Sequence, residues 1–121
     1  MTVEPRDLAV QALYEADQLD LSNRNEDLPP KAARLVAGVL KHVRELDDEI
    51  DSASEHWRVQ RMPVVDRAIL RLGLYELRYE PDTPAAVVVA EAVRLAKTFS
   101  TERSGAFVNG VLATLAEKER G

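Results

Sequence analysis

Apolar residues recur at three- and four-residue steps through almost the whole chain, and this spacing restricts the fold more than any other feature of the sequence. Such steps place side chains on one face of an α-helix, whereas no stretch alternates apolar and polar residues for long enough to form a sheet. Residues 63–79 are apolar on most sides, which is typical of the central helix of a bundle. The sequence therefore predicts an all-α fold.

Prolines and turn formers set the expected helix boundaries. Residues 20–30 contain paired prolines and several turn formers, and they predict a connection between helices. The apolar pattern from Lys31 to Ala53 is longer than a typical helix and predicts two helices with a break near residues 44–47. The last helix is predicted to end near Glu117. Six or seven helices are expected in all, the others covering residues 5–19, 63–79 and the region from Val87 to Phe99.

The composition bounds the class of protein. The chain has 121 residues, of which 45% are hydrophobic, and no cysteine. This fits one compact domain or two small subdomains that share a core. Without cysteine there is no disulfide framework, thiolate zinc site or cysteine nucleophile, and a reducing cytoplasm is the expected location. The longest uncharged stretch, residues 104–116, is too short to span a membrane.

Negative charge is concentrated in the first quarter of the chain. Residues 1–30 hold seven acidic and two basic residues, a net charge of −5, whereas residues 31–121 hold fourteen of each sign. Contacts to phosphates need clustered lysine and arginine, so the acidic balance taken alone argues against nucleic-acid binding.

The sequence carries no motif for catalysis or metal binding. His42 and His56 are fourteen residues apart without metal-ligand spacing, and the five glycines are scattered rather than gathered in a phosphate-binding loop. The acidic run at residues 47–51 lacks the ordered ligands of a calcium loop and is expected to be a solvated helix face. We therefore expect no enzyme activity, no cofactor and no metal.

Three arginines of the central helix project to one side. Arg67, Arg71 and Arg78 are separated by four and seven residues, so their side chains lie within about 40° of one another around the helix axis. Two interpretations stay open. The arginines pair with carboxylates of neighbouring helices, such as Glu91, or they contact RNA phosphates or an acidic protein surface.

Three aromatic residues also allow two interpretations, core packing or RNA binding. Tyr14 lies on the first helix, and Phe99 and Phe107 flank the turn before the last helix. Helical aromatic residues are most often core residues. If they are partly exposed beside arginines, they instead provide surfaces on which unpaired RNA bases stack.

Four segments carry a family resemblance. They are RDLAVQALYEAD at 6–17, VDRAILRLGLYEL at 65–77, EAVRLAKTFS at 91–100 and SGAFVNGVL at 104–112. In this order and at similar separations, these segments resemble the characteristic segments of the NusB family of transcription antitermination proteins. The resemblance extends from near the start of the chain to near its end.

The resemblance implies a fold and a function. The fold is a single all-helical domain of about seven helices, in an N-terminal subdomain (1–60) packed against a C-terminal subdomain (61–121). Family members bind the single-stranded boxA element of ribosomal RNA operons together with NusE, a small-subunit ribosomal protein. The pair joins other Nus factors on RNA polymerase, and the polymerase then resists termination. No reaction is catalysed, and the sequence leaves open whether the chain forms a homodimer without its partner.

The resemblance also implies functional residues. Two positions at the start of the VDRAIL segment, Asp66 and Arg67, correspond to the contact with NusE. Asp66 has an alternative role, because a carboxylate at the start of a helix can cap free amide groups. The residues implied to contact RNA are Arg6, Tyr14, Phe99, Arg103 and Phe107.

This chain departs from the family at its N-terminus. The family usually opens with several arginines and lysines, whereas only Arg6 is present here, between Glu4 and Asp7. Each lost phosphate contact reduces the salt slope of single-strand binding by about 0.7. We therefore expect the chain to depend on its partner for much of its RNA affinity. The alternative function is a non-catalytic interaction module that binds NusE but has weak or no affinity for RNA.

Overall fold

The computed structural model describes residues 4–19, 28–55 and 57–121. This part of the chain contains helices and no strand, as the apolar spacing predicts. It forms six α-helices and one short 3₁₀ turn, Val59–Arg61. The helices are α1 (Pro5–Leu19), α2 (Pro30–Lys41), α3 (Val43–Ala53), α4 (Val64–Tyr79), α5 (Ala85–Phe99) and α6 (Glu102–Arg120).

Helix α4 is the centre of the structure. It contacts each of the other five helices, and its apolar side chains are buried on nearly every side, so the prediction of a central helix is confirmed. Residues from all six helices form one continuous hydrophobic cluster. The fully buried α4 side chains in this cluster are Ile69, Leu70, Leu72 and Leu74.

Two helix boundaries differ from the sequence prediction. The break between α2 and α3 lies at His42 rather than near residues 44–47, and its N–H donates to the carbonyls of both Gly38 and Val39. A break there lets both helices turn their apolar faces toward α4, where Val39 and Leu46 are fully buried. The apolar spacing continues through His42 and therefore does not mark the break.

Helix α6 continues to Arg120 rather than ending near Glu117. The apolar stripe ends earlier, but the Arg120 guanidinium donates hydrogen bonds to four backbone carbonyls at and beyond the end of α4. These acceptors hold the last turn of α6 against α4, which the apolar pattern alone does not indicate. The carbonyls belong to Glu76, Leu77, Glu80 and Thr83.

No helix within the described ranges is both long and apolar enough to cross a bilayer.

Gly38 lets the ring of Tyr75 of α4 pack directly against α2. A Cβ atom added at this position would collide with the ring of Tyr75, which is itself buried. Gly110 on α6 provides a contrast, because a Cβ atom there would meet no atom within 4 Å. The first glycine is required by packing, and the second is not.

We predict that Gly38→Ala lowers the free energy of unfolding by about 1–3 kcal/mol, because the added methyl group overpacks the contact with Tyr75. Gly110→Ala is the matched control and is expected to raise stability by up to about 1 kcal/mol, since alanine is the better helix former. Urea unfolding of both variants measures the difference. Equal effects of the two substitutions would contradict this account of Gly38.

Candidate functional site

Two neighbouring concavities contain most of the predicted functional residues. The first, which we call the α1 groove, has a volume of about 370 Å³ and lies between α1, α4 and α5. The second, the Trp57 cavity, has a volume of about 320 Å³ and lies between the 3₁₀ turn, α4 and α6. The α1 groove is lined by Val10, Gln11, Tyr14, Glu15, Val65 and Phe99. The Trp57 cavity is lined by Trp57, Met62, Pro63, Asp66, Arg103, Ser104 and Phe107.

The first turn of α4 separates the two concavities. Val65 lines the α1 groove, and the next residue, Asp66, lines the Trp57 cavity. A ligand that crosses this turn can therefore contact both. The two concavities together form one candidate surface.

The link between α5 and α6 positions the aromatic residues of this surface. Phe99 is the last residue of α5, and Thr101 caps α6 by accepting a hydrogen bond from the Ser104 N–H at 3.2 Å. The hydroxyls of Ser100 and Ser104 are 2.9 Å apart, which fastens the turn. This short turn places Phe99 in one concavity and Phe107 in the other.

The predicted RNA-contact residues differ in exposure. Tyr14 has 41% of its surface exposed, Arg103 is exposed, and Phe99 and Phe107 are half-buried. These four side chains combine aromatic surface with a cation. The structure brings Tyr14 and Phe99 together in the α1 groove, and Arg103 and Phe107 together in the Trp57 cavity.

Arg6 is placed differently. It is only 9% exposed and lines neither concavity, because its guanidinium donates two hydrogen bonds of 2.8 Å to the carboxylate of Glu76. Glu91 lies 3.6 Å from the same guanidinium. The hydrogen bonds that Arg6 donates to Glu76 raise the pKa of Arg6 above its ordinary value, although burial opposes this. Arg6 thus fastens the start of α1 to α4 and α5.

Asp66 is the most buried of the predicted functional residues, with 3% of its surface exposed. The Ser104 hydroxyl donates to its Oδ2 atom at 2.9 Å. Its Oδ1 atom is buried and has no hydrogen-bond partner among the residues that the structure describes. A buried carboxylate oxygen without a donor is costly, so a partner that brings a hydrogen-bond donor to this atom recovers part of that cost.

Asp66 does not cap α4 with a side-chain hydrogen bond. Helix α4 has Pro63 at its N-cap and no side-chain capping hydrogen bond. Proline has no N–H for a carboxylate one turn later to engage, and the Asp66 carboxylate turns toward Ser104 of α6 instead.

The arginines of α4 pair with carboxylates of neighbouring helices. Arg67 bonds to Asp17 of α1, Arg71 bonds to Asp47 of α3, and Arg78 reaches Glu45, Glu49 and Glu119. The ion-pair interpretation is therefore correct. The suggested partner is not, because Glu91 pairs with Arg94 at 3.2 Å and lies beside Arg6.

Sequence reasoning missed Trp57, which is 51% exposed and lines the cavity with Arg103 and Phe107. The signal was the segment HWRVQR at residues 56–61, where the chain's one tryptophan stands beside two arginines. Within the described ranges, no group of three or more histidine, aspartate or glutamate side chains is arranged to hold a metal ion. His56 lies outside those ranges.

Comparison with known proteins points to one family. The profile of the NusB family matches residues 3–117. The transcription antitermination protein NusB of Arthrobacter sp. (strain FB24) is 41% identical over 122 residues, covering 93% of this chain and 90% of the relative.

Two solved structures are similar along almost the whole chain. T. maritima NusB superposes with a TM-score of 0.80 at 36% identity and covers 98% of this chain and 94% of its own. A chain from the crystal structure of antitermination factors NusB and NusE in complex with dsRNA superposes with a TM-score of 0.77 at 27% identity, covering 94% of each chain.

We predict that Glu76→Ala lowers the free energy of unfolding by about 3–5 kcal/mol, because it leaves the Arg6 guanidinium buried without its carboxylate. Arg34→Ala is the control. Its side chain is 55% exposed and pairs with Glu80, so its loss is expected to cost less than about 1 kcal/mol. Thermal and urea unfolding distinguish the two; similar losses would mean that Arg6 is held by other contacts.

Proposed function

The chain belongs to the NusB family, and from that premise we propose that it is a transcription antitermination factor. In this proposal it binds boxA-type single-stranded RNA of ribosomal RNA operons together with NusE, and it helps RNA polymerase to resist termination. Other Nus factors and the polymerase join through the assembled complex, the action takes place in the cytoplasm, and the protein binds rather than catalyses. The solved complex of a NusB with NusE and dsRNA supports NusE and RNA as partners.

The observation that carries the proposal is the pair of adjoining concavities at the start of α4. Tyr14 and Phe99 present aromatic surface in the α1 groove, and Phe107 does so beside the exposed Arg103 in the Trp57 cavity. Aromatic rings accept unpaired bases of any sequence, and arginine contacts phosphates and stacks on bases. This combination suits a single strand better than a duplex.

Arg6 enters the proposal in an indirect role. Its guanidinium is engaged by Glu76 and Glu91 and is almost fully buried. We propose that Arg6 serves RNA binding by holding the first turn of α1, which positions Tyr14 two turns later. The direct contacts are then those of Tyr14, Phe99, Arg103 and Phe107.

The acidic residues in the first quarter of the chain disfavour RNA binding less than their number suggests. Asp7 bonds to Arg94 at 2.7 Å, and Asp17 bonds to Arg67 at 2.5 Å. These two carboxylates are neutralised within the molecule and repel phosphates weakly. Glu4 and Glu15 are exposed, and Glu15 lines the α1 groove, whereas Asp20, Glu26 and Asp27 lie outside the described residues. The shortage of free cations on α1 still favours a large contribution from the partner to RNA affinity.

Asp66 and Arg67 form the proposed contact with NusE. Arg67 is held by Asp17 and has a side chain only 14% exposed, so Asp66 supplies the specific hydrogen-bond acceptor through its Oδ1 atom. Asp66 and Arg103 line the same cavity. The proposed protein and RNA surfaces therefore adjoin.

We also propose that the chain acts as one domain whose two subdomains meet near residue 60. This division is supported by the 3₁₀ turn between α3 and α4 at that point. The core nevertheless continues across it, because α1 packs against both α2 and α4.

The second candidate function is a module that binds NusE with little RNA affinity. One observation favours it: the arginines Arg6, Arg67, Arg71 and Arg78 all pair with carboxylates and offer no free cation to a phosphate. RNA binding measured at low salt separates the two functions, because the module predicts none even there.

We predict that the purified chain with NusE shifts boxA RNA in a mobility-shift titration and leaves a scrambled RNA unshifted at the same concentrations. Tyr14→Ala is expected to weaken boxA binding by about fivefold or more, since a stacked base contributes about 1–3 kcal/mol. Tyr14→Phe, which keeps the ring, is the matched control and should bind nearly as tightly. Equal binding of both RNAs, or none with the partner present, would reject the proposed function.

For the partner contact, we predict that Asp66→Asn weakens NusE binding about tenfold or more, because it removes a buried charged acceptor while preserving the shape of the side chain. The free energy of unfolding should change by about 1 kcal/mol or less, because the amide oxygen can still accept from the Ser104 hydroxyl and the NH2 group replaces Oδ1, which has no partner in the described structure. Calorimetric titration measures the affinity. The exposed Asp48→Asn serves as the control, and an equal effect of both variants would remove Asp66 from the interface.

A further inference from the structure

The segment from Trp57 to Met62 divides its side chains sharply between the interior and the surface. Val59 is 1% exposed and Met62 is 4% exposed, whereas Trp57 is 51% exposed. Arg58 has a side chain 75% exposed, and Arg61 is also exposed. The buried residues anchor the segment, and the residues left outside include an aromatic ring and two cations.

This segment is held in place by hydrogen bonds at several points. The Val59 N–H donates to Asp51 Oδ1 of α3 at 2.7 Å, and the Val59 carbonyl accepts from Arg67 of α4 at 3.4 Å. Backbone hydrogen bonds close the 3₁₀ turn itself, from Arg61 to Arg58 at 2.8 Å and from Met62 to Val59 at 3.2 Å. A surface fixed in this way loses little conformational entropy when a ligand binds.

Trp57 is continuous with the proposed RNA surface. Trp57 lines the same cavity as Arg103 and Phe107, so two aromatic side chains and a cation face one cavity. About half of the Trp57 surface is exposed, and its indole N–H makes no hydrogen bond within the described residues. Tryptophan, which combines an apolar ring with a polar N–H, is enriched at interfaces.

We propose that Trp57 is a further base-stacking residue and that Arg58 and Arg61 contact phosphates, so that the bound RNA strand extends from the α1 groove, across the first turn of α4, over the Trp57 cavity. This inference rests on the proposed function and adds a third element to its RNA surface. Stacking on tryptophan tolerates any base, so the segment contributes affinity more than sequence preference.

The charges around Trp57 favour RNA over a basic protein segment. Arg58, Arg61 and Arg103 are all exposed, and together they attract phosphates and repel a cationic peptide. A second depression that also borders Trp57 is lined by Asp51, Glu55 and Arg58. Asp51 is engaged by the Val59 N–H and lies 3.7 Å from Arg58, whereas Glu55 is exposed and disfavours a phosphate in that depression.

The experiment uses the full chain with NusE and a boxA RNA oligonucleotide. Trp57→Ala is expected to weaken RNA binding about fivefold or more, and Trp57→Phe to restore most of the affinity. The double variant Arg58→Gln, Arg61→Gln is expected to lower the salt slope by about 1.4, corresponding to two phosphate contacts on a single strand. Because the chain has one tryptophan, its fluorescence without NusE should also be quenched as RNA is added.

Two variants remote from the cavity are the controls. Tyr79→Ala removes a tyrosine 37% exposed at the far end of α4, about 22 Å along the helix from its first turn. Arg34→Gln removes an exposed arginine of α2. Both should leave RNA affinity and salt slope unchanged, and circular dichroism checks that every variant keeps its helices.

The outcomes separate this inference from the function on which it rests. If the unmodified complex does not prefer boxA RNA, the proposed function fails. If it binds boxA RNA but the Trp57 and arginine variants change neither affinity nor salt slope, the inference is overturned and the function stands. If Trp57→Ala weakens NusE binding in the absence of RNA but leaves RNA binding by the chain alone unchanged, Trp57 belongs to the protein interface. This result also overturns the inference.

Discussion

The burial of α4 is the constraint on which the rest of the structure depends. A helix that is apolar on nearly every side cannot be stable at a surface, so the five other described helices cover it. Each of them contributes side chains to one continuous core. The polar residues that α4 does carry must then find partners at its margins, and its arginines do so with carboxylates from α1, α3 and α6.

The candidate surface is a result of the same constraint. The first turn of α4 emerges between α1 and α6, where Val64 and Val65 are only partly buried, and the two concavities lie on either side of it. Asp66 stands at this margin with a carboxylate that is buried but only half satisfied. A site of this kind costs some stability in the free protein and gains a hydrogen bond when a partner covers it.

Helix type and approximate bounds could be predicted from the sequence because they depend on local spacing. The limits predicted for α1 agree with the structure, and those of α4 agree to within a residue. The break at His42 and the extension of α6 to Arg120 could not be predicted, because contacts with α4 determine both boundaries and the local sequence does not. The same reason explains why Glu91 was the wrong partner for the α4 arginines. Ion pairs between helices depend on how the helices pack, which one sequence does not specify.

The candidate site was only partly accessible from the sequence for a related reason. The resemblance supplied residues by position, but exposure is decided by tertiary packing. Tyr14 and Arg103 are exposed, whereas Arg6 is enclosed by Glu76 and Glu91. Trp57 lies outside the four segments that resemble the family. It is a candidate because the structure places it in the same cavity as Phe107.

The guanidinium of Arg120 has a consequence for how the protein melts. A helix normally leaves its last carbonyls open to water, and its final turn frays independently of the rest. Here the carbonyls of Glu76, Leu77 and Glu80, with that of Thr83 beyond them, converge on one side chain from α6. The end of α4 can therefore unfold only when the last turn of α6 also unfolds and the hydrogen bonds of Arg120 break. Two helix ends about forty residues apart in sequence thus belong to one cooperative unit, and their amide protons should exchange with solvent together.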